Sequence, residues 1–206
     1  MIVLSHRGYW KAIEEKNTEI SFKRSFDLGF GTETDLRDHD GEIVISHDMP
    51  VGDEMRFEQL LSIMDGRNLP LALNIKADGL SKIIKEILKK YNHTNYFTFD
   101  MSIPDMVCQI NNKLNVFTGL SDILNQPVLI DDCCGVWLDC FNSDWYDHTQ
   151  IDNLIKQGKK VCLVSADLHR RDVSKQWDMI RKSKYVTNEN LMLCTDFPEV
   201  ARGYFK

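Results

Sequence analysis

Acids, bases and hard-cation ligands gather in three short segments near the start of this chain. Ser5-His6-Arg7-Gly8 comes first, Glu33-Thr34-Asp35 second and Ser46-His47-Asp48 third. Histidine titrates near neutrality, so His6 and His47 flanking one scissile bond would divide the work of general base and general acid. Glu33 and Asp35 are two residues apart, which on a β-strand puts both carboxylates on one face. Carboxylates held side by side repel when both are ionised. A shared proton or a cation relieves that repulsion, and a hard divalent ion suits oxygen ligands best. Asn74 and Lys76 repeat the two-residue spacing with a neutral oxygen ligand and an ammonium. Arg7 and Lys76 would oppose negative charge building on phosphoryl oxygens. Together these groups are what cleavage of a phosphate ester requires. Taken singly they leave plainer readings open: solvated strand-edge carboxylates, a lysine that merely ends a strand, and histidines in loops without a role, as expected for His93, His148 and His169.

Such groups converge only if a scaffold aims them. Short apolar runs alternate with amphipathic stretches along the chain, the pattern of a parallel sheet wrapped by helices. The runs predict strands at Ile2–Ser5, Gly31–Leu36, Leu71–Lys76, Tyr96–Phe99, Leu114–Thr118, Gly135–Cys140, Lys160–Ser165 and Leu191–Cys194. Helices are predicted at Thr18–Leu28, Phe57–Met64, Leu80–Lys90, Ile103–Asn112, Thr149–Gln157 and Val173–Lys182. Gly29, Gly66 and Gly158 follow three of them as left-handed caps, and Asn17-Thr18 offers capping oxygens to the first. The turn Asp38-His39-Asp40-Gly41 predicts a hairpin leading into Glu42–Ser46. Leu120–Asp132 shows no clear period. Eight strands with intervening helices predict an α/β fold, a (β/α)8 TIM barrel of minimal length, in one domain over residues 1–206. In such a barrel the working groups sit at the carboxyl ends of strands, where His6, Arg7, Glu33, Asp35, Asn74 and Lys76 fall. A doubly wound open sheet is the rival architecture, but no Gly-x-Gly-x-x-Gly opens a helix.

Composition narrows the field further. The chain has 206 residues, 43% hydrophobic and 27% charged, with a net charge of −6. With no basic block or interleaved aromatic stripe, nucleic acid is not expected as a partner. No segment approaches the ~18 apolar residues of a membrane span, and no basic amphipathic stretch argues for stable membrane association. The first strand begins at Ile2, leaving no room for a leader, so the expected location is the cytoplasm. The six cysteines form no C-x-x-C pair and are expected to be reduced and structural. Oligomeric state is not legible.

The order Ser5-His6-Arg7-Gly8, Asn17-Thr18 with Ser21-Phe22, Gly29 through Glu33-x-Asp35, Asp40-Gly41 and His47-Asp48 resembles the glycerophosphodiester phosphodiesterase family. The likeness resumes at Thr195-Asp196-Phe197-Pro198-Glu199 and is weak across the central third. It implies a (β/α)8 barrel, His6 and His47 as the acid–base pair, Glu33 and Asp35 as ligands of a divalent cation (Mg2+ or Ca2+, with Mn2+ also serving), and Arg7 on the phosphate. The implied substrate is a small phosphodiester, hydrolysed to a phosphomonoester and an alcohol. Two departures stand out. The family's third strand usually offers a glutamate two residues before the lysine, where this chain has Asn74. Only 22 residues separate Asp48 from Leu71, too few for the small subdomain many members insert there. Two alternatives follow: a catalytically idle barrel that binds a phosphorylated metabolite, and a metal-free sugar-phosphate isomerase or lyase.

Overall fold

The computed structural model describes residues 1–206. Its strands are β1 (Ile2–His6), β2 (Gly31–His39), β3 (Glu42–Ile45), β4 (Leu71–Ile75), β5 (Tyr96–Phe99), β6 (Phe117–Leu120), β7 (Gly135–Leu138), β8 (Lys160–Val164) and β9 (Leu191–Thr195). Its helices are α1 (Glu19–Asp27), α2 (Phe57–Met64), α3 (Ser81–Lys90), α4 (Ile103–Asn111), α5 (His148–Lys156), α6 (Ser174–Ile180) and α7 (Pro198–Tyr204). The sheet order is β5-β4-β2-β1-β9-β8-β7-β6, with β3 off this path on β2. Eight parallel strands in this order, alternating with helices, are the (β/α)8 barrel class. No helix is long and apolar enough to cross a membrane.

The chain divides into two compact units, and the cut falls inside β1, between Leu4 and Ser5. The unit Ser5–Val116 holds β2 to β5 and α1 to α4. β2 is the longest strand. Its first half pairs in parallel with β4, Thr32 to Leu36 against Leu71 to Ile75, and its second half pairs antiparallel with β3, Leu36 to His39 against Ile45 to Glu42. The hairpin is as predicted, with Asp40 and Gly41 both at positive φ (49° and 83°) in the turn. Because β3 takes up the backbone groups of residues 36–39, β2 runs three residues past the predicted end. Phe22, Phe26, Phe57, Leu60, Met64, Leu71, Leu73 and Phe99 are buried here without measurable exposure beyond 2%. Phe22 stacks on Phe26 at 6.3 Å, one helical turn along α1.

The other unit, Met1–Leu4 with Phe117–Lys206, carries β6 to β9 in parallel register, Val136 beside Val161 and Leu163 beside Leu193. Two expectations need correction in it and at its edge. The strand predicted at Leu114–Thr118 begins at Phe117 instead. Leu114 still donates its N–H to the Gln109 carbonyl, Lys113 takes φ 63° as α4 ends, and Val116 makes only a single bridge to Thr98. The continuous ladder starts where Phe117 meets Gly135 and runs on to Leu120 opposite Leu138. The chain also ends in a helix, α7, that the periodicity does not reveal. Pro198 opens it with a pre-set φ and no N–H to leave unpaired. Leu120–Asp132 contains only the end of β6, turns and one 3-10 turn at Ile130–Asp132. His169, in the 3-10 turn after β8, contacts the buried Asp139 carboxylate through Nε2 at 2.7 Å, which ties that turn to the end of β7.

Candidate active site

Strand alternation sets the site. On β2, Thr32 and Thr34 face one way: Thr32 shares a buried hydroxyl cluster with Ser5 (2.6 Å), itself 2.7 Å from Ser25 of α1, and Thr34 turns to the loop before α1. Glu33 and Asp35 therefore face the other way, both buried, at 2% and 0% exposure. The β2–β4 register sets Asn74 directly beside Asp35. His6 ends β1 with its Nε2 3.9 Å from Glu33 Oε2. Arg7 follows at φ 58° and donates its backbone N–H to the Glu33 carbonyl at 2.9 Å. Its Nε stands 3.2 Å from Asp35 Oδ2, and Lys76 Nζ stands 3.5 Å from Asp35 Oδ1 and 3.8 Å from Asp100. Six of the seven candidate residues, His6, Arg7, Glu33, Asp35, Asn74 and Lys76, thus form one group.

His47 stands differently. Its side chain is 44% exposed, and its Nδ1 meets Asp48 Oδ1 at 2.9 Å. The hydrogen bond from the imidazole holds the Asp48 carboxyl below its usual range. Of the group, only Arg7 shares with His47 the lining of a cavity of about 460 Å3, to which Asn17 also contributes.

Asn17 is the residue the sequence misplaces. Read as a helix cap, it sits at φ 59° with its side chain turned away from α1. Nδ2 donates to Asp35 Oδ2 at 2.9 Å, and Oδ1 accepts from Thr34 Oγ1 at 2.9 Å. Thr18 takes the capping position and makes no side-chain cap bond. Gly8 allows this loop to close. At φ 81° its missing Cβ would lie 2.4 Å from Ser21 Oγ and 2.9 Å from the Ser21 carbonyl carbon. Gly8→Ala is therefore expected to destabilise the protein by about 2 kcal/mol or more, through both strain and overpacking. A thermal melt unchanged by that substitution would contradict the loop geometry.

Burial and charge leave the site electrostatically unfinished. Burial, and next the neighbouring Asp35 charge, push the Glu33 carboxyl up to about 7, while His6, Arg7 and Lys76 pull it back. Glu33 Oε2, Asp35 Oδ1 and Asn74 Oδ1 are buried and accept no hydrogen bond. Buried acceptors are normally satisfied, and these three lie on neighbouring strands at the residues expected to ligate a cation. The donor set, two carboxylates and an amide oxygen, suits a hard divalent ion. It is lean in charge, since no three His, Cys, Asp or Glu side chains assemble in ligating geometry. Asp35 is already offset by Arg7 and Lys76.

No protein-family model matches this chain, and no curated protein does. Solved structures do. A phosphodiesterase from Oleispira antarctica, in complex with the product sn-glycerol-3-phosphate, superposes with a TM-score of 0.73 at 16% identity, covering 99% of this chain and 96% of its own. A glycerophosphodiester phosphodiesterase from Agrobacterium tumefaciens strain C58 gives 0.71 at 15% identity, covering 99% and 98%. At these identities the likeness is one of fold over the whole chain. The family that the sequence motifs resemble and the class of these structural neighbours are the same.

Proposed function

We propose that this chain is a phosphodiester hydrolase that cuts a small glycerophosphodiester-like substrate into a phosphomonoester and an alcohol, with His6 and His47 as its acid–base pair. The observation that carries this reading is the trio of buried oxygens without a hydrogen bond on Glu33, Asp35 and Asn74, with His6 beside Glu33 and Arg7 and Lys76 beside Asp35. Those three residues would hold a divalent cation, magnesium, calcium or manganese, which when bound supplies Lewis-acid neutralisation of a phosphoryl oxygen. Arg7 and Lys76, both beside Asp35, carry the positive charge that opposes the negative charge of the phosphoryl oxygens. His6, beside Glu33 at the end of β1, moves one proton of the reaction. His47 moves the other through Nε2, its ring fixed by Asp48.

The 460 Å3 cavity beside His47 receives the leaving alcohol. Besides Arg7 and Lys16, four carboxylates line it: Glu19, Asp48, Asp53 and Glu54. The backbone N–H groups of Val51 and Gly52 hold the Glu54 carboxyl below its usual range, so it stays anionic at neutral pH. A diester whose leaving alcohol bears a carboxylate or phosphate is therefore expected to react about tenfold more slowly, by kcat/KM, than one with a neutral alcohol. Glu54→Gln should narrow that gap, and equal rates for both substrates in the parent protein would refute the assignment of the cavity.

The function itself is tested by offering diesters of glycerol, nucleotide and lipid-headgroup types with magnesium, calcium or manganese, and measuring phosphomonoester release. Cation-dependent turnover of at least one diester is expected. No turnover of any would sink the proposal in favour of an idle binding barrel, and turnover untouched by exhaustive chelation would overturn the role given to the cation.

A further inference from the structure

We infer that Asn17 is a positioning residue that fixes the plane of the Asp35 carboxylate and so leaves one of its oxygens for the cation, and that the Thr34 hydroxyl anchors the far end of the Asn17 amide. The inference rests on the function proposed above and deepens it.

Asp35 is fully buried and has two oxygens with different surroundings. Oδ2 takes the Asn17 amide N–H at 2.9 Å and faces Arg7 Nε at 3.2 Å. Oδ1 takes no hydrogen bond, although Lys76 stands 3.5 Å away, and the same holds for the buried Glu33 Oε2 and Asn74 Oδ1. A half-turn of a carboxylate exchanges two equivalent oxygens, but a hydrogen bond to one of them fixes the plane in which both lie. By engaging Oδ2, Asn17 holds that plane and leaves Oδ1 as the oxygen without a hydrogen bond.

The amide must itself be oriented, because an amide presents a donor on one side and an acceptor on the other. Rotated by half a turn, it would set its oxygen against the carboxylate. The acceptor-only Asp35 carboxylate excludes this, and the Thr34 hydroxyl, donating to Asn17 Oδ1 at 2.9 Å, anchors the amide in the orientation that faces its NH2 group to Asp35. Thr34 is the residue between Glu33 and Asp35, so one strand supplies both expected ligands and, on its opposite face, the anchor of their clamp. The backbone of Asn17 is fixed independently. It is left-handed at φ 59°, a conformation asparagine tolerates better than most residues, and its N–H reaches the Arg7 carbonyl at 2.9 Å. Ser21 Oγ closes on the same carbonyl at 3.3 Å. Loop closure thus lies in the backbone of residue 17, and the clamp lies in its side chain.

That separation makes the idea testable. Asn17→Gly keeps a backbone that accepts φ 59° and deletes only the amide. Thr34→Val keeps the β-branched shape and deletes only the hydroxyl. Magnesium, calcium and manganese are titrated calorimetrically into the parent protein, each single variant and the double variant, with a thermal melt of each cation-free sample to report folding. The expected result is a cation affinity 10–100-fold weaker in Asn17→Gly, the usual effect of removing a hydrogen bond that orients a ligating carboxylate. Thr34→Val should lose part of that affinity. The double variant should be no weaker than Asn17→Gly, because the two losses are one interaction. Parent-like affinity in a folded Asn17→Gly would overturn the inference while leaving the proposed function standing. Additive losses in the double variant would overturn the role of Thr34. A parent protein that binds none of the three cations would overturn both the inference and the function. If Asn17→Gly fails to fold, Asn17→Ser, which keeps a short polar side chain, replaces it in the same cycle with the same criteria.

Discussion

Alanine at position 6 should lower kcat/KM for the best diester by about 10²- to 10⁴-fold, the usual contribution of a positioned proton carrier. His6 sits where this loss is chemical rather than structural. Its side chain is 15% exposed at the end of β1, and its imidazole faces the Glu33 carboxyl at 3.9 Å. His47→Ala should fall in the same range, because its ring lines the cavity shared with Arg7 and is aimed by Asp48. His148→Ala, at the first turn of α5, supplies the comparison and should leave turnover unchanged. Parent-level turnover in either His6→Ala or His47→Ala, on a protein with a normal melt, would end the acid–base assignment.

The second large effect concerns stability and runs against intuition: removing a charge from the site should strengthen the cation-free protein. Glu33 is driven up to about 7 from the 4.5 of a free glutamate carboxyl. Between those values the folded protein holds a proton that the unfolded chain has released. Stability in this window therefore falls as pH rises, and above it the full penalty of a buried carboxylate beside Asp35 is present. The difference amounts to about 3 kcal/mol. Glu33→Gln cannot ionise. Without cation it should melt about 6–12 °C above the parent at pH 8, and at nearly the parent's temperature at pH 4. Added cation should raise the melting temperature of the parent and not that of the variant, since a ligand stabilises only the state that binds it. A Glu33→Gln protein that melts below the parent at pH 8 would show that Glu33 contributes a net favourable interaction there, and that the site does not call for a positive ion.

Much of this arrangement is written locally. Period two across Glu33-Thr34-Asp35 and Asn74-Ile75-Lys76 states which side chains share a face, and β-branched runs mark the strands that carry them. Strand identity is legible where a run has clear turn residues on both sides, as at Tyr96–Phe99. It slips at Leu114–Thr118, where Leu114-Asn115-Val116 alternates as a strand would and only pairing with Gly135 to Leu138 determines where the ladder begins. The later end of β2 has a similar cause, since β3 rather than any property of residues 37–39 makes them strand. Asn17 shows the deeper limit. Asparagine before a helix normally caps it, and local sequence holds no sign that a strand eighteen residues away supplies both its donor and its acceptor. The pairing of Arg7 and Lys76 with Asp35 is hidden for the same reason: sequence gives the sign of each charge but not which opposite charge it meets.

All seven candidate side chains lie between positions 6 and 76, within the single compact unit Ser5–Val116. Substitutions accumulating across residues 117–206 leave that group's own strands and loops unedited. The candidate group and the remaining sequence can therefore change at different rates, since exchange within residues 117–206 alters none of the seven side chains.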